Sequence, residues 1–81
     1  HLEFKVYPNP ASGFVFVETK FLNFSVRSLE VKSVLGNSVP IAYTQSGSVL
    51  KADISDLTPG VYFIHLETAN GLTSVCRLVV N

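Results

Sequence analysis

Residues 53–68 read DISDLTPGVYFIHLET, and the rest of the chain is arranged around this stretch. Pro59 fixes φ and Gly60 permits a positive φ, so we expect the chain to turn there between two strands. After the turn, apolar residues recur at every second position, which places them on one face of a strand. These residues are Tyr62, Ile64 and Leu66. The stretch therefore predicts a strand end, a corner and a second strand.

The corner itself has a recognisable spacing, Leu57-x-Pro59-Gly60-x-Tyr62. This spacing resembles the tyrosine corner of Greek-key sandwiches, in which the phenol bonds backbone a few residues upstream. A Tyr ring that enters a core needs a partner for its hydroxyl, and the corner backbone supplies one. We therefore predict that the Tyr62 hydroxyl bonds the backbone of Leu57 or Thr58, with its ring buried between the sheets.

Length and composition exclude several classes of protein. The chain has 81 residues, six basic and six acidic, and is expected to form one domain over residues 1–81. It lacks the clustered Lys and Arg of a nucleic-acid-binding protein. No apolar run approaches the roughly 20 residues of a membrane span. The single cysteine cannot form an internal disulfide. Because the chain starts directly on a predicted strand, we expect a piece excised from a larger protein.

Short runs rich in Val, Ile, Thr, Phe and Tyr alternate with Gly, Asn and Pro, which is the pattern of an all-β protein. Seven short strands without crossover helices predict an antiparallel two-sheet sandwich, Ig-like and with Greek-key connections. The expected strands are residues 4–7, 14–19, 26–34, 38–43, 48–54, 61–68 and 72–80.

Prolines mark two of these predicted strands. Pro8-Asn9-Pro10 is expected to end the first strand, because two prolines remove two backbone donors. Pro40 lies within the fourth predicted strand and favours a place at a sheet edge, since it cannot donate to a ladder. Residues 21–25 are expected to form a loop over an open end of the sandwich. In the fifth predicted strand, Val49 is expected to be the main apolar anchor.

The last hairpin has two possible registers. A three-residue loop, Ala69-Asn70-Gly71, would pair the inward residues of the two strands as Tyr62 with Leu78, Ile64 with Cys76 and Leu66 with Ser74. An even-length loop would instead place Arg77 opposite Ile64, because a one-residue slip exchanges the two faces. Burying an unpaired guanidinium is costly. The odd loop is therefore favoured, and it makes Cys76 a buried small hydrophobe.

The sequence does not indicate catalysis or metal binding. Cys76 and His65 are the only nucleophile and base candidates, and in the favoured register they point to opposite faces of the hairpin. Two histidines and one cysteine show no zinc spacing. Asp53, Ser55 and Asp56 are expected to cap the corner rather than to bind calcium. We expect no enzyme activity, no catalytic residue, no cofactor and no metal.

Five apolar residues lie on the strand parity opposite to the presumed core, and some of them must face outward. An outward apolar patch can be a partner surface. Coverage by long side chains or loops would make the same residues structural, and both alternatives stay open. Together with the sheet edges expected near Pro40 and the termini, this patch predicts a weak homodimer. The five residues are Phe14, Phe16, Val61, Phe63 and Val79.

Two blocks of the sequence resemble the motifs of one known family. The opening block is Val6-Tyr7-Pro8-Asn9-Pro10-Ala11-Ser12-Gly13. The closing block runs from Asp53 through Gly60-Val61-Tyr62-Phe63-Ile64 and Asn70-Gly71 to Arg77-Leu78-Val79-Val80. They are similar to the motifs of the type A C-terminal sorting domain of the type IX secretion system of Bacteroidetes. The resemblance covers essentially the whole chain. One departure is the ending Val80-Asn81, where many members carry a further basic residue.

The resemblance implies a removable address signal, joined to an N-terminal cargo domain of a secreted protein. It implies export to the periplasm, recognition by the outer-membrane translocon of the type IX system, and cleavage before Phe4 by a sortase-like cysteine protease. The cargo would then reach the cell surface or the extracellular space. We predict that the signal is read from the final hairpin, residues 60–80, by strand addition and by contact with Arg77. The signal residues are expected to be Pro8, Asn9, Pro10, Gly60, Tyr62, Gly71, Arg77, Leu78, Val79 and Val80.

The alternative is an Ig-like or fibronectin-like accessory module of a secreted enzyme, which binds carbohydrate or spaces domains. A sugar-binding module usually needs an exposed aromatic platform. The only candidates for such a platform are Tyr43, Phe14, Phe16 and Phe63. The two alternatives differ in the parent protein, since a sorting domain must be its last element.

Overall fold

The computed structural model describes residues 4–19 and 25–81, and the regular elements within these ranges are all β-strands. The predicted all-β fold is confirmed, with eight strands where seven were expected. The loop predicted at residues 21–25 lies outside the described residues except for Ser25. The strands are β1 (Phe4–Ser12), β2 (Phe14–Thr19), β3 (Val26–Ser33), β4 (Ser38–Val39), β5 (Ala42–Ser46), β6 (Val49–Asp53), β7 (Gly60–Thr68) and β8 (Thr73–Val80).

Two antiparallel sheets pack against each other, which confirms the predicted β-sandwich. Sheet 1 has the order β1-β2-β6-β5, and sheet 2 has the order β4-β3-β7-β8. Strand β1 belongs to both sheets. It pairs with β2 from Phe4 to Tyr7 and again at Ser12, and between these it meets β8 in parallel, with Ala11 opposite Val80. The first and last strands of the chain therefore join the two sheets along one side.

The core is built from every second residue of the facing strands. From Tyr62 to Thr68 in β7, for example, the even-numbered residues are buried and the odd-numbered ones are only half-buried. The anchor predicted for β6 is wrong, because Leu50 is fully buried and Val49 only partly so. Pairing with β2 sets this parity, since Leu50 lies opposite the buried Val17. The largest fully buried side chains are Leu50, Ile54, Ile64, Leu66, Leu78, Val15, Val17 and Val31.

The prolines lie at points where a strand changes its pairing partner or is divided in two. Contrary to the prediction, β1 continues through Pro8-Asn9-Pro10 to Ser12. This is possible because the prolines lie between the β2-paired and the β8-paired parts of β1, where no ladder donor is required. Pro40 divides the predicted fourth strand into β4 and β5, since it cannot donate to a ladder. These two strands are the outer strands of sheet 2 and sheet 1, which confirms the predicted edge.

The register predicted for the last hairpin is confirmed. Tyr62 lies opposite Leu78 and Ile64 opposite Cys76, and Arg77 faces solvent. The loop closes with hydrogen bonds from Thr68 N to Leu72 O (2.8 Å) and from Gly71 N to Thr68 O (3.0 Å). Gly71 has a φ of 90°, which an L side chain rarely adopts.

Cys76 faces the core as predicted but is half-buried rather than buried. The reason is the position of β1, which reaches β8 only near Ala11 and Val80. Cys76 therefore lies on a part of β8 that has β7 on one side and no described strand on the other.

Candidate functional site

The tyrosine corner forms as the sequence predicts. The Tyr62 hydroxyl donates to the backbone oxygen of Thr58 at 2.7 Å and lies 3.0 Å from the Thr58 hydroxyl. Its ring is 7% exposed and belongs to the core between the sheets. The hydrogen bond thus joins Thr58, before Gly60, to the beginning of β7.

Polar residues before the corner stabilise the local turn. Asp53 Oδ1 accepts from the Ser55 hydroxyl at 2.6 Å and from the Ser55 backbone N–H at 2.9 Å. These two bonds, the hydroxyl bond first, lower the pKa of Asp53 from its ordinary value. Asp53 and Ser55 therefore cap the turn.

Gly60 begins β7 opposite Val80, at the open end of the hairpin. Its φ is 155°, a conformation that L side chains rarely adopt. A Cβ built on Gly60 would meet Tyr62 Cε1 at 4.0 Å, which is ordinary van der Waals contact. Backbone conformation rather than lack of space therefore favours glycine at this position.

The opening and closing motifs meet through the side chain of Asn9. Asn9 Nδ2 donates to the backbone oxygen of Arg77 at 3.1 Å, and the backbone N–H of Val79 donates to Asn9 Oδ1 at 3.0 Å. Two residues further along, Asn81 N donates to Ala11 O at 2.9 Å. We call the pair of bonds made by Asn9 the Asn9 clamp. The side-chain amide here takes the place of a peptide group in a strand ladder.

The sequence assigned both motifs to the signal but did not predict that they touch. One sequence feature could have suggested it. Pro8 and Pro10 have no backbone N–H, so the side chain of the residue between them is the donor best able to bind a neighbouring strand.

Most of the ten expected signal residues lie close together near the end of β8, and Gly71 lies apart from them. Residues 8–10 lie against residues 77–80, and Gly60 pairs with Val80, whereas Gly71 lies at the other end of the hairpin. The buried members are Tyr62, Leu78 and Val80. Val79 is half-buried, and the exposed members are Pro8, Asn9, Pro10, Gly60, Gly71 and Arg77.

The outward apolar residues form two separate groups. On sheet 1, Phe16 has its ring centroid 5.5 Å from that of Tyr7 and 5.3 Å from that of Phe14. Phe14 is 41% exposed, and Lys51 Nζ lies over its ring, 4.7 Å from the centroid. The ring planes are tilted by 34° between Tyr7 and Phe16 and by 76° between Phe14 and Phe16, so the three rings do not form one flat platform of the kind that stacks on a sugar.

The second group lies on the outer face of sheet 2. Here Val61, Phe63 and Val79 are half-buried. Phe63 has Lys32 opposite it on β3 and Arg77 opposite it on β8. The patch expected from strand parity therefore exists, but it is divided between opposite faces of the sandwich.

The nucleophile and base candidates lie apart. His65 is on the outer face of sheet 2 and Cys76 on the inner face, as the register predicts. Burial raises the pKa of the Cys76 thiol, which lowers its thiolate fraction at neutral pH. Within residues 4–19 and 25–81, no three His, Cys, Asp or Glu side chains are grouped as metal ligands. The same ranges contain no helix that is long and apolar enough to cross a membrane.

These features define a class of protein, a β-sandwich whose opening proline motif is bonded to its last strand. The chain belongs to the family of secretion system C-terminal sorting domains, whose sequence model matches residues 5–81. Members of this family are sorting signals of type IX secretion, which lead to the cell surface or the extracellular space, and the family is not one of enzymes. No curated protein and no solved structure matches the chain.

Proposed function

We propose that this chain is the removable sorting signal of a larger secreted protein. After export to the periplasm, the outer-membrane translocon of the type IX system binds the domain, and a sortase-like cysteine protease then cuts before Phe4. The N-terminal cargo stays on the cell surface or is released. The domain is thus the substrate of an enzyme rather than an enzyme. Family membership over residues 5–81 supports this assignment.

The Asn9 clamp is the observation that indicates which residues the translocon would contact. It brings the opening and closing motifs, which are separated by almost the whole chain, into one surface at the end of β8. A receptor for many cargoes needs a feature that lies wholly within the domain, and this joined surface is such a feature. Pro8, Asn9, Pro10 and Arg77 are exposed there and can be contacted directly.

The remaining signal residues act through shape in this proposal. Tyr62, Leu78 and Val80 are buried, so their side chains hold the hairpin in place instead of touching a receptor. Gly60 and Gly71 permit the backbone conformations at the two ends of the hairpin. Val79 is half-buried on the outer face and offers a small apolar contact beside Arg77.

An export assay tests the assignment. The full chain is fused behind a periplasmic reporter that has its own signal peptide, in a type IX-competent cell and in a strain that lacks the translocon. We expect reporter outside the competent cell and inside the deficient one. The same reporter without the chain controls for leakage. If the fusion stays in the periplasm of the competent cell, the sorting function is wrong for this chain.

A further inference from the structure

Strand β8 is covered on both sides along only part of its length. Its C-terminal part is held by β7 on one side and by Asn9 and Ala11 on the other. Its first part, residues 73–76, pairs with β7. Within residues 4–19 and 25–81, no strand lies on the other side of this first part. This unpaired edge is distinct from the surface around the Asn9 clamp.

The backbone of Val75 points away from β7 at this edge. The Val79 N–H and the Arg77 carbonyl point toward β1, as their bonds to Asn9 show. In an antiparallel pair, alternate residues direct both backbone groups to the same side. The β7–β8 ladder has no register shift, so Val75 has the same orientation as Arg77 and Val79. Its N–H and carbonyl are therefore placed to pair with a further strand.

The side chains of this edge do not oppose pairing. Natural edges are usually protected by charged residues, prolines or bulges. Thr73-Ser74-Val75-Cys76 contains no charge and no proline, and Val75 is 56% exposed.

Among the described residues, the inner side chains beside this edge are incompletely covered. Ser74 and Cys76 face inward but are half-buried, whereas Leu66 and Ile64 opposite them are 1% exposed. A further strand would bring its inward side chains over these two small residues. Apolar side chains at alternate positions of that strand would complete the burial.

We propose that residues 73–76 receive an extended segment of the translocon by strand addition, on the same side of β8 as Asn9 and Ala11. The segment carries apolar side chains at alternate positions and pairs its backbone with Val75. The inference rests on the proposed sorting function and deepens it, because it places the backbone contact on the first half of β8. The Asn9 clamp already occupies the Arg77 carbonyl and the Val79 N–H.

A proline at position 75 tests this edge. Val75→Pro removes an N–H that points away from β7, so every hydrogen bond of the β7–β8 ladder keeps its donor, whereas the added strand loses a donor and meets the proline ring. Val75→Ala is the matched control, because it removes the side chain and keeps the N–H. We expect Val75→Pro to lower export of the reporter fusion to about a tenth of the wild-type amount or less, and Val75→Ala to export normally.

A second variant tests the edge even if the Val75→Pro chain does not fold. Val75→Lys leaves the backbone intact and places a charge at the edge, which opposes strand pairing. Melting of each purified chain shows whether it is folded, and if Val75→Pro is not, Val75→Lys decides. Normal export of the folded edge variant overturns the proposal while the sorting function stands. Failure of the wild-type fusion to leave the competent cell overturns the sorting function itself.

Discussion

Tyr62 and Arg77 belong to the same hairpin but have opposite environments. The phenol of Tyr62 is buried and bonded to the backbone of Thr58, so its contribution is to stability. Arg77 is exposed, with Phe63 opposite it on β7, so its removal should leave the core intact. Measuring both stability and export of each variant therefore distinguishes residues that stabilise the fold from residues that contact a receptor.

Removing the Tyr62 hydroxyl tests the corner. Tyr62→Phe should lower the free energy of unfolding by about 0.5–1.5 kcal/mol, the net value of one intramolecular hydrogen bond. Tyr43→Phe, at an exposed edge position, is the control and should change stability by less than about 0.5 kcal/mol. Urea unfolding of both variants gives the comparison. An unchanged midpoint for Tyr62→Phe would show that the corner bond does not stabilise the domain.

Removing the Arg77 guanidinium tests direct recognition. Arg77→Ala should reduce export of the reporter fusion while the melting temperature stays within a few degrees of wild type, since surface substitutions usually cost less than about 0.5 kcal/mol. Arg27→Ala is the matched control, because Arg27 is an exposed arginine on β3, away from the clamp. Equal export of the two variants would remove Arg77 from the signal but would leave the sorting function untouched.

At the scale of elements, the contact between β1 and β8 decides which part of β8 has neighbours on both sides. The pairing of β1 with β2 is interrupted between Tyr7 and Ser12, and in this interval Asn9 and Ala11 bind the last residues of β8. The path of β1 thus covers the C-terminal part of β8 and leaves its first part without a described neighbour on that side.

The Asn9 clamp can be removed without touching the core. Asn9→Ala loses two exposed hydrogen bonds, which should cost about 1–3 kcal/mol if each contributes a typical amount. Asn37→Ala, in the β3–β4 turn, is the control for replacing an exposed asparagine. Amide hydrogen exchange should show faster exchange of the Val79 N–H in the Asn9 variant. Unaltered exchange there would contradict the bond to Asn9 Oδ1.

The Cys76 thiol reports on the open part of β8. Because Cys76 is half-buried, we expect a thiol reagent to label the folded chain more slowly than the urea-unfolded chain, but not to be excluded. Burial raises the pKa of the thiol, so the thiolate is lost as pH falls through a higher value than usual. The labelling rate should therefore still be rising at a pH where that of the unfolded chain has levelled off. A folded-state profile that levels off first would contradict the raised pKa.

At the scale of the whole molecule, the sandwich has two apolar outer groups and no net charge. Zero net charge provides no overall repulsion between copies of the chain. The Phe14 group lies on sheet 1 and the Phe63 group on sheet 2, so one molecule presents apolar surface in two directions.

A weak homodimer stays a prediction for this molecule. Phe14 is the most exposed of the outward phenylalanines and lies under Lys51. We expect sedimentation equilibrium at high concentration to show reversible self-association, and Phe14→Ser to weaken it, because an exposed apolar contact is lost. Phe63→Ser tests in the same way whether the outer face of sheet 2 contributes to self-association. Monomers at every concentration for the wild-type chain would contradict the prediction.

Local sequence determined the all-β class, the tyrosine corner and the register of the last hairpin. The corner residues specify their own backbone, since Pro59 and Gly60 set the turn and Tyr62 has its partner within four residues. The register of the last hairpin followed from the cost of burying Arg77. The opening and closing motifs could likewise be found in the sequence, because the first is a contiguous block and the second is a set of residues at recognisable spacings.

Only the tertiary structure decided which elements meet. The parity of β6 depends on its pairing with β2, so Val49 could not be separated from Leu50 by local pattern. Likewise, the prolines on either side of Asn9 favoured a side-chain bond but did not indicate that β8 would be the partner strand or that β1 would continue through them. Asn9 meets Arg77 and Val79 across 68 and 70 positions of the chain, and half of Cys76 stays uncovered for the same reason. Contacts between residues so far apart depend on how the two sheets pack, which the periodicity of a single strand does not encode.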